Sequence, residues 1–200
     1  WSDQSLLGML VKRILNSGDI AIIKSAFHLT ASDLSGNDDS GWSLKRETPE
    51  KLNEIITILL GSYMGAGPKK GATQRWIINH IKDCQDNAVP RFLVRLIESA
   101  AEKQLYSRTE VATIISPLFV REALSEISVE HVKASEPEWG WLPGFTERIR
   151  RMPHIQVVPF EKKTFENEIK KGWSDPWGVT ITPPCDDYRD FLPLLVDFGI

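Results

Sequence analysis

Four glycines and a pair of adjacent lysines lie in residues 61–76, which read GSYMGAGPKKGATQRW. Residues of these types form the Walker A loop of nucleotide-binding proteins, in which backbone N–H groups hold phosphates and the lysine contacts their terminal oxygens. That loop needs a second glycine, followed by lysine, five positions after the first glycine. The residue five positions after Gly65 is Lys70, and the residue five positions after Gly67 is Ala72. The spacing therefore excludes a Walker A loop in this segment.

The charge of the chain is unevenly distributed. The whole chain has a formal net charge of −3 at pH 7, yet residues 61–95 contain six basic and two acidic side chains. This segment therefore carries a net charge of +4, which leaves −7 for the remainder. We expect any bound anion to contact this segment, and the alternative is an ordinary basic face in contact with solvent. The basic side chains are Lys69, Lys70, Arg75, Lys82, Arg91 and Arg95.

Two further groups of polar side chains contain residue types that could bind a metal or act in hydrolysis. His80, Asp83 and Cys84 share one face of a predicted helix, but no second cluster completes a tetrahedral metal site, so packing of His80 is the preferred interpretation. Glu136 and Glu138 form an acidic pair beside two tryptophans, whereas glycoside hydrolysis needs two carboxylates about 5–10 Å apart, normally on separate elements. No GxSxG or similar nucleophile motif is present. We therefore predict no catalytic residue and no metal site.

Composition is that of an ordinary globular chain. Its 200 residues are 42% hydrophobic and 26% charged, and no apolar run approaches the length of a membrane span. No charged and then apolar signal peptide opens the chain. The two cysteines lie 101 positions apart without CxxC spacing, which predicts reduced thiols and a cytoplasmic location. Because the chain begins with Trp1 and ends in VDFGI, we interpret it as a fragment of a longer polypeptide.

Hydrophobic spacing predicts a predominantly helical chain. Thr48 can cap a helix that has Pro49 at its first position, and Pro90 begins another. Residues 30–46, rich in Ser, Asp, Asn and Gly, are expected to form a mobile loop, and no alternating run predicts a strand except a short extended stretch at 179–182. Helices are expected at 6–15, 19–29, 48–61, 73–84, 90–101, 109–133 with a break or a second start at Pro117, 145–152, 161–171 and 186–200. The expected core of the first part contains Trp76, Phe92, Leu93, Leu96 and Ile97.

Several short motifs occur along the chain in an order that resembles a known family. A glycine- and lysine-rich loop precedes a helix with a tryptophan, and Pro-Arg then opens an apolar helix that continues into Ala-Ala. The residues are Gly65, Gly67, Lys69, Lys70, Gly71, Trp76, His80, Asp83, Pro90, Arg91, Ala100 and Ala101. This pattern resembles the region C-terminal to the nucleotide-binding core in large bacterial P-loop ATPases of the AAA+/STAND type, often ParA-like. The N-terminal DQSLLGMLVKRILN and the terminal LLVDFGI fit the same region, but Walker A, Walker B and a wing after Ile200 are missing.

The resemblance implies a mainly α fold. It would consist of a helical lid-like bundle in residues 1–135 and a small, incomplete winged-helix-like lobe in residues 136–200. The ATPase core would lie upstream and be the partner of this chain, with ATP and Mg²⁺ bound in the parent protein and no cofactor for the chain alone. Arg91 would sense the nucleotide phosphate, and Lys69, Lys70, Arg75 and Arg95 would form a basic surface. The alternative for Arg91 is a surface salt bridge, worth about 0–1 kcal/mol.

Two functions are therefore expected. The first is a non-catalytic regulatory or interaction module of a bacterial P-loop ATPase, which couples the nucleotide state of the upstream core to the binding of a protein partner. The alternative is a winged-helix module that binds DNA through the basic segment 61–95. A membrane is not an expected partner in either case.

Overall fold

The chain is mainly α, as predicted. The structure, a computed structural model, describes residues 2–82, 87–107, 112–155, 161–174 and 181–197. The helices are α1 (Asp3–Leu15), α2 (Ile20–Ala26), α3 (Pro49–Leu60), α4 (Thr73–Ile81), α5 (Pro90–Ser107), α6 (Pro117–Ser135), α7 (Leu142–Arg150), α8 (Lys162–Lys171) and α9 (Tyr188–Asp197). Short 3₁₀ turns span Pro68–Lys70 and Pro153–Ile155, and two strands, β1 (Leu34–Asn37) and β2 (Gly41–Leu44), form the sheet.

Local signals place the starts of α2, α3 and α5 where the sequence predicts them. The Asp19 side chain accepts a hydrogen bond from the N–H of Ala21 at the start of α2, at 2.7 Å. Thr48 caps α3 in the same way, with Pro49 as the first helical residue. α6 begins at Pro117, where the missing N–H of proline removes no helical bond. The expected helix before this proline is wrong over residues 112–116, which are not helical, since the N–H groups of residues 114 and 115 donate to the end of α3 instead. The expected helical residues 83–84 and 109–111 lie outside the described residues.

Residues 30–46 do not form the loop expected from their composition. They contain a hairpin in which β1 and β2 pair antiparallel, with Leu34 opposite Leu44. Both leucines are buried, at 3% and 7% exposure, while the residues between them are polar or partly exposed. A hairpin with one buried side chain at the base of each strand has too few apolar residues to produce an alternating pattern, which explains why the prediction of no strand was wrong.

One glycine and one asparagine side chain determine the shape and position of this hairpin. A Cβ added to Gly36, which has φ +104°, would lie 1.9 Å from the carbonyl oxygen of Gly41 across the ladder. Only glycine fits there. The Asn16 side chain, just after α1, donates to the carbonyl oxygen of Trp42 at 2.7 Å and accepts from its N–H at 2.7 Å. The hairpin is thus tied to the end of α1.

Residues Trp1–Ile127 form the first compact unit. Its core combines α1, α3, α4, α5 and the start of α6, with Leu93 and Leu96 completely buried and Ile97 at 7% exposure, as predicted. Trp76 and Phe92 are only partly buried and pack against this core from its edge. The last carbonyl groups of α3 accept hydrogen bonds from the N–H groups of residues 114 and 115, which satisfies that helix end.

Residues Ser128–Ile200 form the second unit, whereas we expected the division at 135/136; the observed boundary lies within α6. An aromatic cluster makes up much of its core: the ring centroids of Phe145 and Phe191 are 5.1 Å apart, and Trp141 lies 5.5 Å from Phe191 in an edge contact. The described residues of this unit contain helices and no strand. Residues 179–180, part of the expected extended stretch, and 198–200 lie outside the described residues.

Candidate functional site

The glycine-lysine loop, residues 61–71, is a closed loop between α3 and α4. Tyr63 and Ala72 form an antiparallel bridge at its base. Just inside this bridge, the N–H of Met64 donates to the carbonyl oxygen of Gly71 at 3.0 Å. The loop therefore leaves the end of one helix and returns to the start of the next with its two ends hydrogen-bonded together.

Three glycines of this loop adopt backbone conformations that other residues rarely occupy. Gly61 has φ 84° and ψ 162°, Gly67 has φ 120° and ψ −176°, and Gly71 has φ 84° and ψ 145°. Positive φ with ψ near these values is a region populated essentially by glycine. The glycines are thus explained by the path of the backbone, and they do not need the phosphate cradle that the sequence spacing already excludes.

Arg121 of α6 forms a hydrogen bond to the backbone of the loop. Its Nη2 donates a hydrogen bond to the carbonyl oxygen of Met64, whose side chain is buried in the core. A Cβ added to Gly65 would lie 3.7 Å from the same Nη2, so the guanidinium group packs closely on the loop. No local pattern in the sequence predicts this contact, because Arg121 and Met64 lie 57 positions apart.

The loop carries two lysines, Lys69 and Lys70, in its 3₁₀ turn. Both are exposed, and so is Arg75 in the first turn of α4. Within the described part of the chain none of the three forms an ion pair. Arg95, the fourth residue of the predicted basic surface, differs: its Nη1 lies 2.9 Å from an Oε2 oxygen of Glu98. Its charge is therefore partly neutralised by its own helix.

Arg91 is the second residue of α5 and is exposed. It forms no ion pair with a described residue, so the salt bridge considered as its alternative role is not observed there. Lys82 and Ala88 form a bridge that places the start of α5 beside the C-terminal end of α4. The glycine-lysine loop lies at the other end of that helix, and nine helical residues span about 13 Å. The loop lysines and Arg91 are therefore placed near opposite ends of α4.

The solvent-exposed side of α4 carries an aromatic stack. The rings of Trp76 and His80 are 3.9 Å apart between centroids with an interplanar angle of 25°. The Nδ1 atom of His80 lies 2.7 Å from the carbonyl oxygen of Trp76; because that oxygen only accepts, Nδ1 is the donor. Arg75 and Asn79, one turn apart, are exposed beside the stack. We call Arg75, Trp76, Asn79 and His80 the α4 face.

The α4 face adjoins the glycine-lysine loop. A Cβ added to Gly71 would lie 3.9 Å from Cδ1 of Trp76, so the indole ring lies next to the end of the loop. Ala72 precedes α4 without a side-chain cap, and the buried hydroxyl of Thr73 has no hydrogen-bond partner among the described residues. The N-terminal end of α4 therefore combines an uncapped helix start with three unpaired cations.

The metal cluster considered for His80 is not seen. Asp83 and Cys84 lie outside the described residues, and the part of the chain that is described holds no group of three or more His, Cys, Asp or Glu side chains able to bind a metal ion. Glu136 and Glu138 stand in one turn after α6, as expected. They occupy neighbouring positions of one element, not the two sides of a cleft.

Shifted pKa values among the described residues have local structural causes. Two hydrogen bonds from Thr30, at 2.6 Å from its side chain and 2.8 Å from its N–H, lower the pKa of Asp33. Hydrogen bonds from the side chain and N–H of Arg189 lower the pKa of Asp187 to about 2. Burial, followed by the charges of nearby aspartates, raises the pKa of Cys185. All three groups lie apart in sequence from the glycine-lysine loop.

Comparisons with known proteins give no match. No protein-family model fits the sequence, and neither a curated protein nor a solved structure is significantly similar to it. None of the described helices is both long enough and apolar enough to cross a membrane.

Proposed function

We propose that this chain is a non-catalytic regulatory and interaction module of a P-loop ATPase, whose glycine-lysine loop contacts an anionic partner. One observation carries the proposal: the loop is held in one shape by its glycines and by Arg121, yet its lysines remain unpaired within the described residues. A loop that is already ordered loses little conformational freedom when it binds. Its charge is therefore available to a partner.

Arg91 is the residue proposed to respond to the nucleotide. A planar guanidinium offers two parallel hydrogen bonds to phosphate oxygens, and hydrolysis removes that partner. Arg91 is exposed in the first turn of α5, where the helix N-terminus adds to the attraction for an anion. In this proposal the phosphate belongs to ATP bound with Mg²⁺ by an upstream core of the same polypeptide.

The test uses a polypeptide that carries the ATPase core together with this chain. Arg91→Ala should lower ATP turnover or its dependence on the partner, while the helical circular dichroism and the melting temperature stay unchanged. Arg95→Ala is the matched control, because Arg95 lies one turn later in the same helix and is paired with Glu98. The proposal fails if Arg91→Ala unfolds the chain and leaves ATP turnover untouched, since Arg91 would then be structural.

A second function, binding of DNA, is favoured by the spacing of the cations. Lys69, Lys70 and Arg75 lie at one end of α4 and Arg91 beyond the other, with about 13 Å of helix between them. A strand of duplex DNA carries about four phosphates over such a length. A polyanion of this length can therefore contact the cations at both ends.

Salt dependence tests this second function. Lys69→Ala together with Lys70→Ala should reduce the slope of log affinity against log salt concentration for duplex DNA by about two. Lys163→Ala, an exposed lysine of the second unit, should leave the slope unchanged. DNA affinity that is insensitive to salt, or equally sensitive in both variants, would exclude this role for the loop.

A further inference from the structure

The α4 face combines the two chemical features that single-stranded nucleic acids need for binding. Such strands bind through stacking of bases on aromatic rings and through contacts of cations with the backbone phosphates. The exposed ring of His80 is stacked on Trp76, and unpaired cations lie on the same helix and on the adjoining loop.

We propose that the α4 face binds single-stranded nucleic acid, with one base stacked on the exposed ring of His80, which itself lies on Trp76, and with phosphates contacted by Lys69, Lys70 and Arg75. This inference rests on the second proposed function, binding of nucleic acid by the basic segment, and it specifies the form of nucleic acid that binds.

The stack is ordered before any ligand arrives. Trp76 is packed against the core of the first unit, and its carbonyl oxygen holds Nδ1 of His80 at 2.7 Å. The imidazole ring therefore has both a fixed orientation and an exposed surface, so little side-chain freedom is lost when a base stacks on it.

A single strand suits this surface better than a duplex. In a duplex the faces of the bases are covered by their neighbours, whereas single-stranded loops and ends expose them to aromatic side chains. The rings of Trp76 and His80 offer stacking, which is tolerant of sequence because every base has a π-face. The cations lie toward the N-terminal end of α4, so the backbone of the strand would pass over the glycine-lysine loop.

The experiment measures fluorescence anisotropy of a labelled oligothymidylate about 12 nucleotides long, within the usual site size of single-strand-binding domains. We expect this strand to bind the whole chain more tightly than a duplex of the same length. His80→Ala should weaken binding about 5-fold or more, because base stacking has effects of at least this size. His80→Phe should restore it, since phenylalanine keeps the ring and removes the nitrogens. His154→Ala, an exposed histidine of the second unit, is the matched control.

The outcomes separate this inference from the second proposed function. If duplex and strand bind equally and His80→Ala has no effect, the stacking inference fails, while the second proposed function, DNA binding by the basic segment, is still supported. If His80→Ala and His80→Phe weaken binding equally, stacking is also excluded. If neither nucleic acid binds, both proposals fail. If thymidine monophosphate competes as effectively as the unlabelled strand, the site binds a single nucleotide, and the proposal that it binds a strand is wrong. Arg75→Ala provides a second, exposed variant, and unchanged affinity of that variant would contradict the proposed phosphate contact.

Discussion

Replacing Gly67 by alanine isolates the effect of backbone conformation on the glycine-lysine loop. Gly67 has φ 120° and ψ −176°, and a Cβ added there meets no atom within 4 Å. The substitution therefore creates no steric clash, and any loss of stability must come from forcing an L-residue into a conformation that it rarely adopts. Gly18, in the turn after α1, is the matched control, because a Cβ there also meets nothing within 4 Å and its φ is not positive.

The expected difference between the two variants follows from this comparison. Strain in such a backbone region costs about 1–3 kcal/mol, while Gly→Ala stabilises by about 0.4–1 kcal/mol through the unfolded chain wherever the native conformation is permitted. Because the unfolded-state effect is common to both, Gly67→Ala should have a free energy of unfolding about 1–3 kcal/mol below that of Gly18→Ala.

Two measurements check this value. Urea unfolding followed by tryptophan fluorescence gives the free energy of unfolding of each variant. Amide exchange at Met64, whose N–H donates to Gly71, shows whether Gly67→Ala opens the loop locally without unfolding the first unit. Equal free energies of unfolding for the two variants, with unchanged exchange at Met64, would refute the explanation of the loop glycines.

Three further predictions concern other positions. Thr73→Val should raise the free energy of unfolding by about 1 kcal/mol in urea titrations, because it replaces a buried hydroxyl without a hydrogen-bond partner by a methyl group; a loss of stability would mean that this hydroxyl is satisfied. Gly36→Ala should destabilise the first unit by more than Gly67→Ala does, since its Cβ would lie 1.9 Å from a backbone oxygen; calorimetry showing wild-type stability would contradict this. In a Cys84→Ser background, Cys185 should react with iodoacetamide more slowly than a free thiol at pH 8, because burial raises its pKa and only the thiolate reacts. For the same reason its reaction rate should keep rising above the pH at which an ordinary thiol is fully ionised. A rate equal to that of free cysteine would exclude this prediction.

Much of the helical fold could be predicted from the sequence, because its signals are local. The caps at Asp19 and Thr48 and the helix starts at Pro90 and Pro117 depend on residues within one turn of each helix end. The buried stripe of α5 likewise follows from spacing within that helix.

The remainder depends on contacts between distant residues. The hairpin is stabilised by a pair of buried leucines and by Asn16, which lies 26 positions from Trp42. The hydrogen bond from Arg121 to the carbonyl oxygen of Met64 joins α6 to a loop residue 57 positions earlier. Neither contact leaves a periodic pattern in the sequence. The stack of Trp76 and His80 has the readable spacing of four residues, but that spacing alone does not distinguish an exposed ring from a packed one.

Both proposed modes of nucleic-acid binding require that the unpaired cations beside α4 bind phosphates. The most direct test is the salt dependence of oligothymidylate binding by the wild-type chain and by the Lys69→Ala, Lys70→Ala double variant. Three phosphate contacts, by these lysines and Arg75, predict a slope of log affinity against log salt concentration of about −2 for a single strand, and the double variant should retain about −0.7. A wild-type chain that binds no strand, or a double variant with the wild-type slope, would contradict the claim.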